Sequence, residues 1–371
     1  MDFSFIIWNA SPEIFGYGQI ALRWYGLLFA LGFLVSQQIL YYMYKKEGKP
    51  EKEVDSLTII MVIATILGAR LGHVIFYQPE IIWEDPLAIL LPFEFTPKFR
   101  FIGLQGLASH GGAIAILLAL WWYARNRKLS YLHVLDRIVI LVALTGAFIR
   151  MGNFFNSEII GKPTDSPLGV VFAAHLKETI VKRNQDLGIE MAEIVKSQSK
   201  DSLNTVGHVP ATLYIFFKPS ATETEVGNYV DTRLKNNIYN LSEHFYIQPL
   251  ARLPYFISRQ ENGGLAVKVP LVGIARHPAQ LYESISCILL FIVLFWIWKK
   301  HQGNPPEGRI FGLFMVILWG LRFSYEFLKE NQVGFEDKLP LNMGQILSIP
   351  LFLAGIFILV RSFKTKPAQK A

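Results

Sequence analysis

The sequence predicts an all-α polytopic membrane protein with seven transmembrane helices and a small α+β extracytoplasmic domain inserted between the fourth and fifth. Three observations carry that prediction. Apolar runs of about 20 residues recur along the chain, and about 20 residues at about 1.5 Å rise cross a ~30 Å hydrocarbon core. Of 371 residues, 52% are hydrophobic and 18% charged, with a mean hydropathy of +0.32, more apolar than an ordinary soluble domain. The stretch 173–268 breaks the pattern: it is long, polar and charged. The expected segments are therefore 1–172 with helices one to four, 173–268 outside the membrane, and 269–371 with helices five to seven and a basic tail.

Residues 1–20 are apolar but interrupted by Pro12, Gly16 and Gly18, and read as an interfacial segment. They contain no Lys or Arg, so a secretory signal peptide is not expected. The first span covers 21–44 and ends at Lys45, Lys46, Lys49 and Lys52. The second, 57–77, carries Gly68-Ala-Arg70-Leu-Gly72, whose glycines share one helix face and permit close helix approach. Arg70 on that helix must face protein or water. Residues 79–106 form a Pro- and Phe-rich loop expected to lie along the interface. The third span runs over 109–123 and is followed by Arg125, Arg127 and Lys128; the fourth covers 132–149.

In the polar stretch, Thr222-Glu-Thr-Glu225 resembles a capping box. Val226, Tyr229, Val230, Leu234, Ile238 and Leu241 then follow at helical spacing. A second amphipathic helix is expected over 178–196, and short strands over 212–217 and 265–272. Spans five to seven cover 278–298, 310–328 and 343–360. The loops after spans one, three and five are rich in Lys and Arg, as is the tail with Arg361, Lys364, Lys366 and Lys370. The positive-inside rule then puts the N-terminus outside and the C-terminus in the cytoplasm. The net charge of +7 reads as this loop bias rather than as nucleic-acid binding. Cys287, the single cysteine, excludes an internal disulfide and reads as a small buried side chain.

On this topology the polar residues of the spans gather at the outer side. The densest group is residues 150–161, where Arg150, Asn153, Asn156 and Glu158 follow an uncharged apolar run. An ionisable group at membrane depth costs roughly 2.5–3.5 kcal/mol on insertion scales, so a chain that keeps several there uses them. His110 opens span three, Tyr25 opens span one, and Arg276-His-Pro-Ala-Gln280-Leu-Tyr-Glu283 opens span five. Arg322 and Glu326 stand one turn apart in span six, and Asn342-Met-Gly-Gln345 opens span seven. Arg23 or Arg276 alone is equally well read as snorkelling to the interface, and Arg322 with Glu326 also fits a structural ion pair. His73 and His133 are not expected to be catalytic. The sequence has no His-Glu-x-x-His, no Cys pair, no Gly-x-Ser-x-Gly and no P-loop, so neither a metal nor another cofactor is implied. Two arginines suit a phosphate anion, which they bind through paired hydrogen bonds. The chemistry that follows is a phospholipid whose phosphate leaves, with the arginines stabilising the departing charge. His110, by its ordinary pKa, is the natural base.

These residues resemble the bacterial prolipoprotein diacylglyceryl transferases. The resemblance rests on Arg23-Trp-Tyr-Gly26, Gly68-Ala-Arg-Leu-Gly72, His110-Gly-Gly112 and Arg150-x-Gly-Asn-Phe-x-Asn-x-Glu-x-x-Gly161. It continues in Arg276-His-Pro-x-Gln-Leu-Tyr-Glu283, Arg322 with Glu326, and Met343-Gly-Gln345. It implies transfer of a diacylglyceryl group from phosphatidylglycerol to the lipobox cysteine of preprolipoproteins, giving a thioether and glycerol phosphate, at the bacterial inner membrane. It implies that Arg150 and Arg322 hold the phosphoglycerol head, and that His110 and Tyr25 act near the reacting centre. Asn153, Asn156, Glu158, Gly161, Gln280 and Glu326 would shape the substrate site. The base is His110, with Glu158 the alternative if burial raises its pKa. The chain departs from the family in two places: Ala108-Ser109 precede His110 where many relatives have Ser-Phe, and the outer stretch is longer than usual. Two readings from other classes stand beside this one. A phospholipid or anion transporter would use the same arginines, although no internal repeat is evident. A membrane scaffold would leave the polar residues without a task.

Overall fold

The structure, a computed structural model, describes residues 4–17, 20–89, 93–94, 100–101, 106, 108–197, 205–248, 252–330 and 339–364. In chain order it begins with strands β1 (Ile6–Trp8), β2 (Glu13–Tyr17) and β3 (Ile20–Arg23), then helices α1 (Trp24–Glu47), α2 (Glu51–Tyr77) and the short α3 (Ile81–Glu84). Strands β4 (Phe93–Glu94) and β5 (Arg100–Phe101) precede α4 (Ser109–Asn126) and α5 (Tyr131–Phe155). Next come β6 (Val170–Phe172), α6 (Ala174–Arg183), β7 (Ile189–Lys196) and β8 (His208–Phe217). They are followed by α7 (Glu223–Tyr229), α8 (Lys235–Tyr239), β9 (Phe245–Tyr246), β10 (Phe256–Arg259) and β11 (Leu265–Ile274). The chain closes with α9 (Ala279–Lys300), α10 (Arg309–Tyr325), a 3₁₀ turn (Glu326–Leu328) and α11 (Met343–Ser362).

Among the described residues, six helices are long and apolar enough to cross a membrane: α1, α2, α5, α9, α10 with its 3₁₀ turn, and α11. This is the body of a polytopic membrane protein. The expected third span, α4, is not among the six. It has 18 residues, and Ser109 and His110 at one end with Arg125 and Asn126 at the other dilute its apolar middle. Strands occur within the expected interfacial segment. β1 pairs in parallel with β6, and β2 with β3 makes a hairpin that delays the start of α1 to Trp24. Lys366 and Lys370 of the tail lie outside the described residues, as do residues 90–92, 95–99, 102–105 and 107 in and beside the expected loop over 79–106.

The chain forms two compact units. The first joins Met1–Gly32, Gly146–Cys287 and Gly320–Ile349. Its centre is a sheet of order β10-β11-β8-β7, with β9 also on β11. Val226, Tyr229, Val230, Leu234 and Ile238 bury one helical face in the same core as Leu213, Ile215 and Phe217 of β8. The helix start is fixed by a capping box: Thr222 Oγ1 accepts from Glu225 N at 3.3 Å, and Glu225 Oε2 accepts from Thr222 N at 3.0 Å. The helix expected over 178–196 is corrected. α6 stops at Arg183, Gly188 turns the chain at φ +63°, and Ile189–Lys196 becomes β7, paired antiparallel to β8. Pairing with a long central strand outweighs local helical periodicity.

The second unit joins Phe33–Thr145, Ile288–Trp319 and Pro350–Ala371. Gly68 and Gly72 of α2 lie against the backbone of Gly111 in α4, so closely that a Cβ on any of the three would collide with backbone. Arg70 is buried and donates from Nε to the Ile89 carbonyl at 3.0 Å. A polar knot ties the unit together: Glu47 accepts from Arg137 Nε at 3.0 Å and from Trp298 Nε1 at 2.8 Å, and Arg137 Nη2 donates to Gly303 O at 2.7 Å. Asp136 accepts from Gly308 N and Phe311 N at 2.8 and 2.7 Å and so caps α10 from a neighbouring helix. Cys287, in the first unit, is only half-buried rather than enclosed.

Candidate active site

The way α5 ends builds the signature. Its last two turns carry Arg150, Gly152 and Asn153. The chain then passes through two left-handed residues, Ser157 at φ 55° and Ile159 at φ 56°. That region is an outlier for a β-branched residue and costs roughly 1–2 kcal/mol for any side chain. The double turn folds Glu158 back onto the helix end. Asn153 Nδ2 donates to Glu158 Oε2 and Asn156 Nδ2 to Oε1, both at 3.2 Å. Glu158 N donates to Asn153 O at 3.0 Å. Gln280, fully buried at the start of α9, donates its amide to the Glu158 carbonyl. Asn156 Oδ1, Ser157 Oγ and Gln280 Oε1 are buried and meet no hydrogen-bond partner among the described residues.

Tyr25 joins this cluster through Gly152. A Cβ there would stand 2.9 Å from Tyr25 Cδ2 and 3.1 Å from its Cα, so the ring needs a glycine beneath it. The Tyr25 ring stacks with Phe29 at 6.3 Å between centroids.

Arg150 and Arg322 are linked through a chain of alternating charge. Arg150 Nε pairs with Glu283 Oε2 at 2.5 Å, and its Nη1 donates to Asn153 Oδ1 at 3.4 Å. The other Glu283 oxygen faces Lys329 Nζ as an ion pair without hydrogen-bond alignment. Lys329 Nζ donates to Glu326 Oε1 at 3.1 Å, and Glu326 Oε2 accepts from Asn342 Nδ2 at 3.2 Å. Arg322 Nη2 stands 3.9 Å from Glu326 Oε1. Buried ions persist when paired, and here each carboxylate is shared between cations. Asn342 and Gln345 also cap α11 reciprocally, through Asn342 N to Gln345 Oε1 at 3.2 Å and Gln345 N to Asn342 Oδ1 at 2.9 Å.

Gly161 and Arg276 hold the frame. Gly161 N donates to His277 O at 3.1 Å, His277 N to Lys162 O at 3.1 Å, and Lys162 N to Leu328 O at 2.7 Å. Arg276 is buried, not snorkelling. Its Nε donates to Glu243 O at 2.6 Å, and its Nη1 to Gly161 O at 3.1 Å and Glu330 Oε1 at 2.7 Å. Burial holds the His277 imidazole below its usual range. His175 Nε2 lies 3.0 Å from Asn156 O, and its ring stacks on buried His244 at 6.2 Å. Burial, with His175 and Arg276 nearby, pushes His244 down to about 4.

Arg150, Asn153, Asn156, Glu158 and Gln280 therefore form one cluster, Tyr25 stands on it, and Arg322 and Glu326 are tied to it through Glu283 and Lys329. Gly161 sits in a backbone crossing rather than lining a side-chain cluster. His110 belongs to the second unit. It is exposed in the first turn of α4, its ring edge-on to Phe76 at 5.2 Å and tilted against Tyr77 at 6.1 Å, and His73 stacks on the same Tyr77 at 5.3 Å. Sequence reasoning passed over Lys329 and treated Glu283 only as part of a motif. The available signal was spacing: Arg322, Glu326 and Lys329 recur at i, i+4 and i+7, one face of a helix.

Fold and site together define a polytopic membrane protein with two arginines held by a buried charge chain. Residues 12–361 match the sequence profile described as prolipoprotein diacylglyceryl transferase. The chain is 31% identical over 366 residues to the phosphatidylglycerol–prolipoprotein diacylglyceryl transferase of Bacteroides fragilis, covering 98% of each chain. The enzymes of the same name from Tolumonas auensis and Chloroherpeton thalassium are 31% and 29% identical over 362 and 368 residues, covering 97% and 99% of this chain and 99% and 98% of theirs. The chain belongs to the prolipoprotein diacylglyceryl transferase family.

Proposed function

We propose that this protein transfers the diacylglyceryl group of phosphatidylglycerol to the lipobox cysteine thiol of preprolipoproteins, the first step of bacterial lipoprotein maturation. The match to the family over residues 12–361 carries the reading. In the reaction the cysteine sulfur attacks the glycerol carbon. A C–S bond forms, the C–O bond to phosphate breaks with its electron pair on oxygen, and glycerol phosphate leaves. Arg150 and Arg322 grip the phosphate and stabilise the charge that collects on it. His110 takes the thiol proton, and Tyr25 acts close to the reacting carbon. Asn153, Asn156, Glu158 and Gln280 shape the head-group site. The amide hydrogen bonds from Asn153 and Asn156 to the two Glu158 oxygens support this shaping role, because they fix the carboxylate at the helix end.

In the same reading α4 is a seventh span, the N-terminus lies outside and the basic tail in the cytoplasm of a bacterial inner membrane. Residues 173–268 form an extracytoplasmic domain that either helps receive the protein substrate or serves as a lineage-specific cover. The deciding experiment uses purified protein in vesicles of head-group-labelled phosphatidylglycerol with a lipobox peptide. Released label should match a diacylglyceryl gain on the peptide and vanish with a Cys→Ser peptide. Release without peptide modification would indicate a hydrolase. No release from folded protein would return the weight to transport or scaffolding.

A further inference from the structure

Lys329 has no place in the reading so far, yet it occupies the middle of the charge chain. Its side chain is 5% exposed, and a buried lysine needs partners that justify its desolvation. Those partners are Glu283, 9% exposed, and Glu326, 11% exposed. Each also serves an arginine, Glu283 at 2.5 Å from Arg150 and Glu326 at 3.9 Å from Arg322. The backbone is pinned as well: Lys329 bridges Gly161, and Lys162 N donates to Leu328 O at 2.7 Å. The ammonium therefore has little freedom to leave the two carboxylates.

From this geometry we infer that Lys329 is a positioning residue that keeps Arg150 and Arg322 available to an anionic lipid head. Resting on the reading that these arginines hold the lipid phosphate, the inference assigns them a common regulator. In the chain Arg150–Glu283–Lys329–Glu326–Arg322 each carboxylate is shared between Lys329 and an arginine. Removing the ammonium releases the Glu283 and Glu326 oxygens that it holds. Glu326 is then drawn onto Arg322, and Glu283 is free to turn both oxygens to Arg150, because a guanidinium fork accepts a carboxylate bidentately. An anion would have to displace a carboxylate from each arginine before binding. Lys329 acts on the substrate through the carboxylates and touches no reacting atom.

The test uses the full chain in mixed vesicles, with phosphatidylglycerol diluted into phosphatidylcholine. Lys329→Met should raise the apparent KM in phosphatidylglycerol mole fraction roughly tenfold or more, with a smaller fall in kcat. Lys329→Arg, which keeps the charge, should restore most of that loss. Adding Glu326→Gln to Lys329→Met should recover part of it, because the carboxylate that closes on Arg322 is gone; the melting midpoint of each variant in detergent shows that it is folded. A second readout is the rise in melting midpoint given by short-chain phosphatidylglycerol but not by short-chain phosphatidylcholine, which Lys329→Met should abolish. Parent protein that shows this rise without turnover would end the transferase reading while still judging Lys329 by the rise. An unchanged KM in Lys329→Met, a loss confined to kcat, or no rescue by Lys329→Arg would each overturn the inference.

Discussion

Gly161→Ala separates two accounts of the last residue of the signature. By resemblance, Gly161 shapes the lipid head-group site; in the structure it is a backbone crossing. A Cβ at 161 would stand 2.5 Å from His277 O, 2.7 Å from His277 Cβ and 2.9 Å from Leu328 O. Two of the three are carbonyl oxygens that already accept hydrogen bonds, at 3.1 Å from Gly161 N and 2.7 Å from Lys162 N. Both must retreat by several tenths of an ångström, which takes the hydrogen bonds out of their favourable range. Overpacking costs about 1–3 kcal/mol and each of the two weakened bonds about 1 kcal/mol, for a total of about 3–5 kcal/mol. At about 2–4 °C per kcal/mol, the melting midpoint in detergent should fall by roughly 6–20 °C. Turnover should fall with it, because Glu158 and Lys329 hang on the same crossing. An unchanged midpoint with lost turnover would refute the crossing account and return Gly161 to the lipid site.

Two further predictions concern charge. Arg150→Ala should cut turnover at least about a hundredfold, as loss of a charge-stabilising donor does, while the melting midpoint stays near the parent because Glu283 keeps Lys329. Activity retained in that variant would remove Arg150 from its assigned role. His244, depressed from 6.5 to about 4 by burial, is neutral in the folded protein at pH 7. The unfolded chain binds the extra proton first, so stability is full above about pH 6.5 and declines towards pH 4, by up to about 3 kcal/mol. His244→Phe should flatten that part of the stability profile measured by thermal unfolding; a profile unchanged by the substitution would exclude His244 as its source.

The apolar helices were legible because the bilayer enforces length and composition together, and helix and run agree closely in α9 and α11. The sequence ends the fourth span at residue 149, where polarity changes, yet α5 continues to Phe155. Hydrogen bonding along the helix does not stop where the solvent changes, and this extension is what places Asn153 beside Arg150. The capping box at Thr222 and the buried stripe that follows it were legible because both are local patterns. β7 was not, because its conformation is decided by β8 across the sheet. Lys329 was hidden for the same reason. A lysine just past an apolar span looks like a topology signal until Glu283, far upstream, is seen facing it.

The two left-handed residues of the signature are the feature that no pattern announced. Their cost at Ser157 can be measured, because glycine adopts that conformation without strain. Ser157→Gly removes roughly 1–2 kcal/mol of left-handed strain and a buried hydroxyl with no partner among the described residues, against about 0.5–1 kcal/mol of added chain entropy. The balance favours the variant, so its melting midpoint should rise. A lower midpoint would mean that the hydroxyl or its conformation is supported by the surrounding fold. If stability rises while turnover falls, the strain is retained for function. The left-handed turn carries Glu158 back towards Asn153, and a glycine there would also let it swing away.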